Sequence, residues 1–142
     1  MIANWLKNKV HPDCIVFADL PGEDFKPISD IFHSLRPDLV ISYLGKLLTI
    51  ELTICHETNI TESREYKINK YKDLKKFRVD SAKNLDLTLT TCELTTLGFL
   101  QIDKSILSKF QIPPFDENLI SQLTQQVIKL SFDIYAHRDS VI

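Results

Sequence analysis

Apolar positions along this chain switch between helical and strand spacing in a regular order. Ile2, Trp5, Leu6 and Val10 recur at three and four, which predicts a helix over 2–10 that His11-Pro12-Asp13 ends. Residues 14–20 read as a first strand, and a polar loop from Gly22 to about Asp30 leads to a short helical turn containing Ile31 and Phe32. Residues 35–43 and 47–54 are rich in aliphatic and β-branched side chains and are separated by Leu44-Gly45-Lys46, the pattern of an antiparallel hairpin. Pro37 belongs near a strand start, where a missing N–H is tolerated, so Asp38 is expected just inside the sheet. Asn59 caps a helix from about 60 to 76, with Glu62 three residues later in a capping-box arrangement. Residues 85–97 form a Thr- and Leu-rich strand closed by Gly98. Pro113-Pro114 then precedes a long amphipathic helix, Asp116 to about His137, with Ile120, Leu123, Val127, Leu130 and Ile134 on one face.

The helix over 60–76 lies between the hairpin and the last long strand, so a right-handed crossover is expected to make those strands parallel. The prediction is an α/β fold, a mixed sheet flanked by helices, in one domain spanning residues 1–142. A chain of 142 residues is large enough for one substantial core.

Two positions break the apolar pattern. Period-2 alternation puts Glu51 and Thr53 on one strand face and Leu52 and Ile54 on the other. At 100° per residue, Ile60, Tyr71 and Leu74 fall within about 40° of one direction, and Lys67 lies between them. A lysine in an apolar stripe needs an anionic partner, because burying an unpaired charge costs several kcal/mol or more. Asp38 and Glu51 are the nearest upstream carboxylates. Two carboxylates on neighbouring strand segments can hold Mg²⁺ or Mn²⁺, which prefer hard oxygen ligands and keep several waters. Such an ion activates a water and neutralises charge on a phosphodiester. A lysine beside it stabilises the charged transition state.

Arg36-Pro37-Asp38, Glu51-Leu52-Thr53 and Lys67 with Tyr71 four residues on resemble the PD-(D/E)xK nuclease superfamily. In the common form the lysine stands two residues after the acid, where this chain has Thr53. A lysine displaced to the following helix is similar to the cap-snatching endonucleases of segmented negative-strand RNA viruses and to the restriction-like endonucleases of non-LTR retrotransposons. Phe17-Ala18-Asp19-Leu20-Pro21-Gly22, Leu39-Val40-Ile41, Glu57-Thr58-Asn59-Ile60 and Lys67-Ile68-Asn69-Lys70-Tyr71 look like the second group, over roughly residues 14 to 100. Cys55-His56 departs from the proline and aromatic residue expected after the acid strand.

The resemblance implies a restriction-endonuclease-like core and metal-dependent hydrolysis of DNA, nicking a target for a retroelement. Asp38 and Glu51 would hold the metal, Lys67 would stabilise or position, and Tyr71 would pack beside or hydrogen-bond the lysine or a phosphate. An RNA endonuclease of cap-snatching type and an inactive binding or dimerisation module on the same fold are the alternatives. Asp19, His11 and His33 are weaker candidates to approach a metal, against roles as a turn cap or solvated imidazoles. The resemblance includes an acid at Glu93, which could instead pair with a surface lysine on an edge, and the Thr53 hydroxyl could hold a metal-bound water or Glu51 or pack beside the site.

Net charge tempers the nucleic-acid reading. It is −2, whereas an autonomous sequence-independent DNA binder is usually basic. Arg64, Lys67, Lys70, Lys72, Lys75, Lys76 and Arg78 nevertheless crowd into one stretch around the candidate helix. The expectation is a weak free-standing binder of nucleic acid, DNA favoured over RNA, helped by flanking domains. Lys72 and Lys76 point away from the stripe and read as a solvated face.

A hydrophobic content of 44% with three glycines argues for regular structure. With neither a long apolar run nor a signal-like start, no membrane span is expected. Cys14, Cys55 and Cys92, odd in number and widely spaced, read as reduced thiols of an intracellular protein, nuclear if the retroelement resemblance holds. Cys55 and His56 have no partners at zinc spacing.

Overall fold

The structure, a computed structural model, describes residues 2–20, 25–33, 37–95, 97, 99–126 and 129. The elements are α1 (Ile2–Lys9), β1 (Ile15–Phe17), β2 (Leu39–Tyr43), β3 (Lys46–Cys55), α2 (Ile60–Tyr71), β4 (Asp86–Thr95), β5 (Leu100–Gln101) and α3 (Lys104–Lys109). Short 3-10 turns occupy Ile28–Asp30, Glu57–Asn59, Leu74–Phe77 and Asp80–Ala82. Residues 117–126 are helical, and the rest of the expected carboxy-terminal helix lies largely outside the described residues.

One mixed sheet runs in the order β1-β2-β3-β4-β5. β1 and β3 flank β2 antiparallel, β3 and β4 are parallel over ten pairs, and β5 returns antiparallel. The parallel pairing follows from α2 lying between β3 and β4 in the chain. The hairpin is tighter than the spacing suggests. Tyr43 pairs with Lys46, leaving a two-residue turn of Leu44 and Gly45 with φ of 48° and 77°. Two consecutive positive φ values match the right-handed twist of the flanking strands, and Gly45 adopts its value without a Cβ penalty.

The sheet separates two cores. Leu48 and Ile50 of β3 join Leu6 of α1, Ile41 of β2, Leu107 of α3 and Leu119 on one face. Leu47 of β3 joins Val40, Phe32, Tyr71 and Leu74 on the other. Each buried leucine or isoleucine contributes roughly 1.5–3 kcal/mol. Alternation along β3 thus assigns Leu47, Thr49, Glu51 and Thr53 to the α2 side.

Several expected boundaries shift. β1 is Ile15–Phe17, not 14–20. The short turn begins at Ile28, with Ile31 at its end and Phe32 after it. α2 stops at Tyr71, and Leu74–Phe77 is a separate 3-10 turn, so the expected helix over 60–76 is two elements. Asn59 stands at the N-cap position without a side-chain cap bond, contrary to the capping-box expectation. The cause is the preceding 3-10 turn: Asn59 N–H bonds to the His56 carbonyl at 2.9 Å, and its φ and ψ of −110° and 10° lack the extended conformation that aims a capping oxygen. β4 is Asp86–Thr95, and Gly98 lies outside the described residues. β5 and α3 were not expected. α3 is capped by Asp103, whose side chain accepts from Ser105 and Ile106 N–H.

Candidate functional site

The site is built where β2 and β3 stop exchanging backbone bonds. Leu39 pairs with Ile50, so one further step of the register would set Asp38 opposite Glu51. At that step the side chains replace the ladder. Asp38 N–H donates to Glu51 Oε1 at 2.9 Å, and Leu52 N–H donates to Asp38 Oδ2 at 2.8 Å. This exchange explains why β2 starts at Leu39, and Asp38 stands just outside the sheet instead of inside it.

α2 brings the cation. Lys67 Nζ donates to Glu51 Oε2 at 2.9 Å, and the Glu51 side chain is fully withdrawn from solvent, whereas Lys67 keeps 20% of its exposure. Asp38 is exposed. Tyr71, one turn beyond Lys67, is buried and shares a hydrogen bond with Glu51. The four residues singled out in the sequence therefore meet at one carboxylate.

Their electrostatics follow from burial. Desolvation pushes the Glu51 carboxyl above its ordinary range, the Lys67 hydrogen bond opposes that, and the neighbouring Asp38 charge adds to it. Burial, then the Glu51 and Asp38 charges, push the Tyr71 hydroxyl up to about 12. Tyr71 is consequently a neutral donor throughout the physiological range.

A second pair was missed in the sequence. Arg64 Nε lies 3.2 Å from Glu93 Oε1, with Glu93 1% exposed. The Thr91 hydroxyl donates to the same oxygen at 2.8 Å. Glu93 Oε2 and Thr53 Oγ1 are buried with no hydrogen-bond partner among the described residues. Helical periodicity held the signal: Arg64 falls about 40° from Ile60, inside the stripe that contains Lys67, but reads as one cation among several.

The remaining candidates go elsewhere. Asp19 Oδ1 accepts Ile28 N–H at 3.0 Å and so caps the turn at Ile28, while the expected turn at Pro21-Gly22 lies outside the described residues. His11 Nδ1 accepts Asp13 N–H and its ring tilts against Tyr43, while His33 packs edge-on to Phe77. Lys72 and Lys76 are exposed, and Lys76 approaches Asp73 at 3.7 Å. The three cysteines are free, and Cys92, the buried one, has its thiol pushed up to about 12 by desolvation.

Hard oxygens of the right kind for Mg²⁺ or Mn²⁺ are present at Asp38 and Glu51. Among the described residues no cluster of three or more His, Cys, Asp or Glu is arranged to hold a metal, and the side-chain donors the site offers are these two carboxylates. Two suffice for an ion that completes its shell with waters and phosphate oxygens. A carboxylate accepts about four hydrogen bonds or ligands, so Glu51, with donors from Asp38 N–H, Lys67 and Tyr71, retains room for one more. Asp38, Leu52 and Thr53, at the end of the β2–β3 pair, also line a cleft of about 650 Å³, with Ala3, Asp19 and Leu20 at other walls.

The chain is an α/β domain with a five-stranded mixed sheet flanked by helices. It matches no protein-family model and no curated protein. No helix among the described residues is long and apolar enough to cross a membrane.

Proposed function

We propose that this domain is a divalent-metal-dependent endonuclease of PD-(D/E)xK type that hydrolyses DNA phosphodiester bonds, nicking a target for a retroelement in the nucleus. The observation that carries the reading is the opposition of Asp38 and Glu51 at the β2–β3 end with Lys67 Nζ 2.9 Å from Glu51. An antiparallel hairpin joined through a helix to a parallel strand supports the restriction-endonuclease-like class, and residues 117–126 would begin its long carboxy-terminal helix.

In this reading Asp38 and Glu51 hold Mg²⁺ or Mn²⁺, which when bound supplies Lewis-acid polarisation and an acidified water. Asp38 presents its carboxylate from the solvent side, where a phosphodiester can approach. Lys67 counters the burial that drives Glu51 toward its neutral form, and it places a positive charge where negative charge develops on the phosphoryl group. Tyr71 braces Glu51 from beneath. Exposed Lys70, whose ammonium lies 5.2 Å from the centre of the Tyr71 ring, can contact one strand's phosphates. The net charge of −2 leaves most of the grip to flanking domains.

A second reading is favoured by one observation: both Glu51 oxygens already have donors, from Asp38 N–H and Lys67, so the cluster is satisfied as an ion pair in a non-cutting module. Nicking of supercoiled DNA in Mn²⁺ tests the enzyme reading. Loss of nicking in Glu51→Ala with folding intact supports it, and unchanged nicking removes the assignment. Cleavage confined to single-stranded RNA would convert the proposal to a cap-snatching-type RNA endonuclease.

A further inference from the structure

α2 is an unusual helix to carry a catalytic group, because little apolar surface holds it down. Among its described residues Tyr71 alone is buried, and the rest of its inner stripe is Ile60, Ser63, Arg64 and Lys67, all half-buried. Apolar burial and the Tyr71–Glu51 hydrogen bond act at one end only, so the rest of the helix keeps a freedom to roll that would carry the Lys67 ammonium away from Glu51.

Two ion pairs remove that freedom. Arg64 and Lys67 are three residues apart on one face, about 4.5 Å along the axis. Their partners are on adjacent parallel strands: Glu51 of β3 stands opposite Thr91, and Glu93 of β4 stands opposite Thr53. The two glutamates are therefore offset by two residues along the strands, about 6.6 Å, and by one interstrand spacing, about 4.8 Å. Anchors displaced in both directions fix translation and rotation together, as a single anchor cannot.

Glu93 is itself immobilised. It is 1% exposed, and Thr91, the residue opposite Glu51, donates to the oxygen that Arg64 reaches. The hydroxyl of one register pair thus locks the acceptor for the helix.

We infer that Arg64 and Glu93 are positioning residues whose ion pair sets the roll of α2 and so delivers Lys67 to Glu51. Their relevance to catalysis rests on the nuclease reading, but the delivery itself is measurable without metal or nucleic acid.

The test is a coupling measurement by urea unfolding of the full chain. Glu51→Gln, Lys67→Met and the double variant give the Glu51–Lys67 coupling, and the same cycle is repeated in Glu93→Gln and in Arg64→Met. The expected coupling is roughly tenfold in the unfolding equilibrium constant with Arg64 and Glu93 in place, falling to within about twofold in either background. A merely structural pair would lower stability in those backgrounds and leave the coupling unchanged, and that result overturns the inference. Where a background does not unfold cooperatively, Arg64→Gln replaces it, removing the charge but keeping a polar donor, and is read the same way. Absent Mn²⁺ binding would count against the nuclease reading alone, because the cycle uses no metal.

Discussion

Lys67 donates to a Glu51 carboxylate that has no solvent exposure, at 2.9 Å from Oε2. Removing the lysine strands a buried charge. Lys67→Met is expected to destabilise the fold by roughly 3 kcal/mol, the lower end for a broken buried pair because the ammonium keeps part of its hydration. Adding Glu51→Gln to Lys67→Met should recover much of that loss. Urea midpoints of the single and double variants measure both.

Glu51 also sets a pH dependence. Its folded-state carboxyl lies above the ordinary range, mainly through desolvation, so the native state binds its proton more tightly than the unfolded chain does. The contribution is fully present below the unfolded glutamate pKa and is lost as pH rises through the raised folded value. Glu51→Gln should therefore flatten the fall in stability across that mildly acidic window. Parallel pH–stability curves for the two proteins would contradict the assignment.

Tyr71 carries an alkaline counterpart. With its hydroxyl pushed up to about 12 by burial and by the Glu51 and Asp38 charges, its contribution is present below the unfolded tyrosine pKa and is lost as pH climbs to about 12. Tyr71→Phe should remove that loss and cost about 1–2 kcal/mol near neutrality through the missing hydrogen bond to Glu51. Ultraviolet titration of tyrosinate, with unfolding followed in parallel, checks both effects.

Gly45 makes the prediction furthest from the site. A Cβ there would meet nothing within 4 Å, so Gly45→Ala bears only the backbone cost of φ at 77°. That cost is about 1–2 kcal/mol. A loss much larger would show that the hairpin register, and with it the Asp38–Glu51 opposition, had slipped.

Much of this arrangement is legible in residue order. Alternation along 47–54 and the displaced Lys67 place an acid and a base on facing surfaces, and an intervening helix implies the parallel strand. Asp38 is harder to place, because its exclusion from β2 depends on a side chain of another strand taking its N–H. The Arg64–Glu93 pair is hidden for a different reason. A single cation in an apolar stripe stands out, whereas Arg64 sits among many basic residues and its partner is 29 residues away. The cap at Asn59 fails because a 3-10 turn just upstream takes the backbone out of capping geometry, which composition does not reveal.

The most direct measurement is calorimetric titration of Mn²⁺ into the wild-type chain and into Asp38→Asn. Activity on an acidic domain depends on nucleic-acid affinity that flanking domains would supply, whereas metal affinity depends on the carboxylates alone. The nuclease account predicts one binding isotherm for the wild type, lost in Asp38→Asn with the fold unchanged. No heat of binding in either protein, or equal binding in both, would contradict it and leave the exposed Asp38 beside a structural ion pair of buried Glu51 and half-buried Lys67.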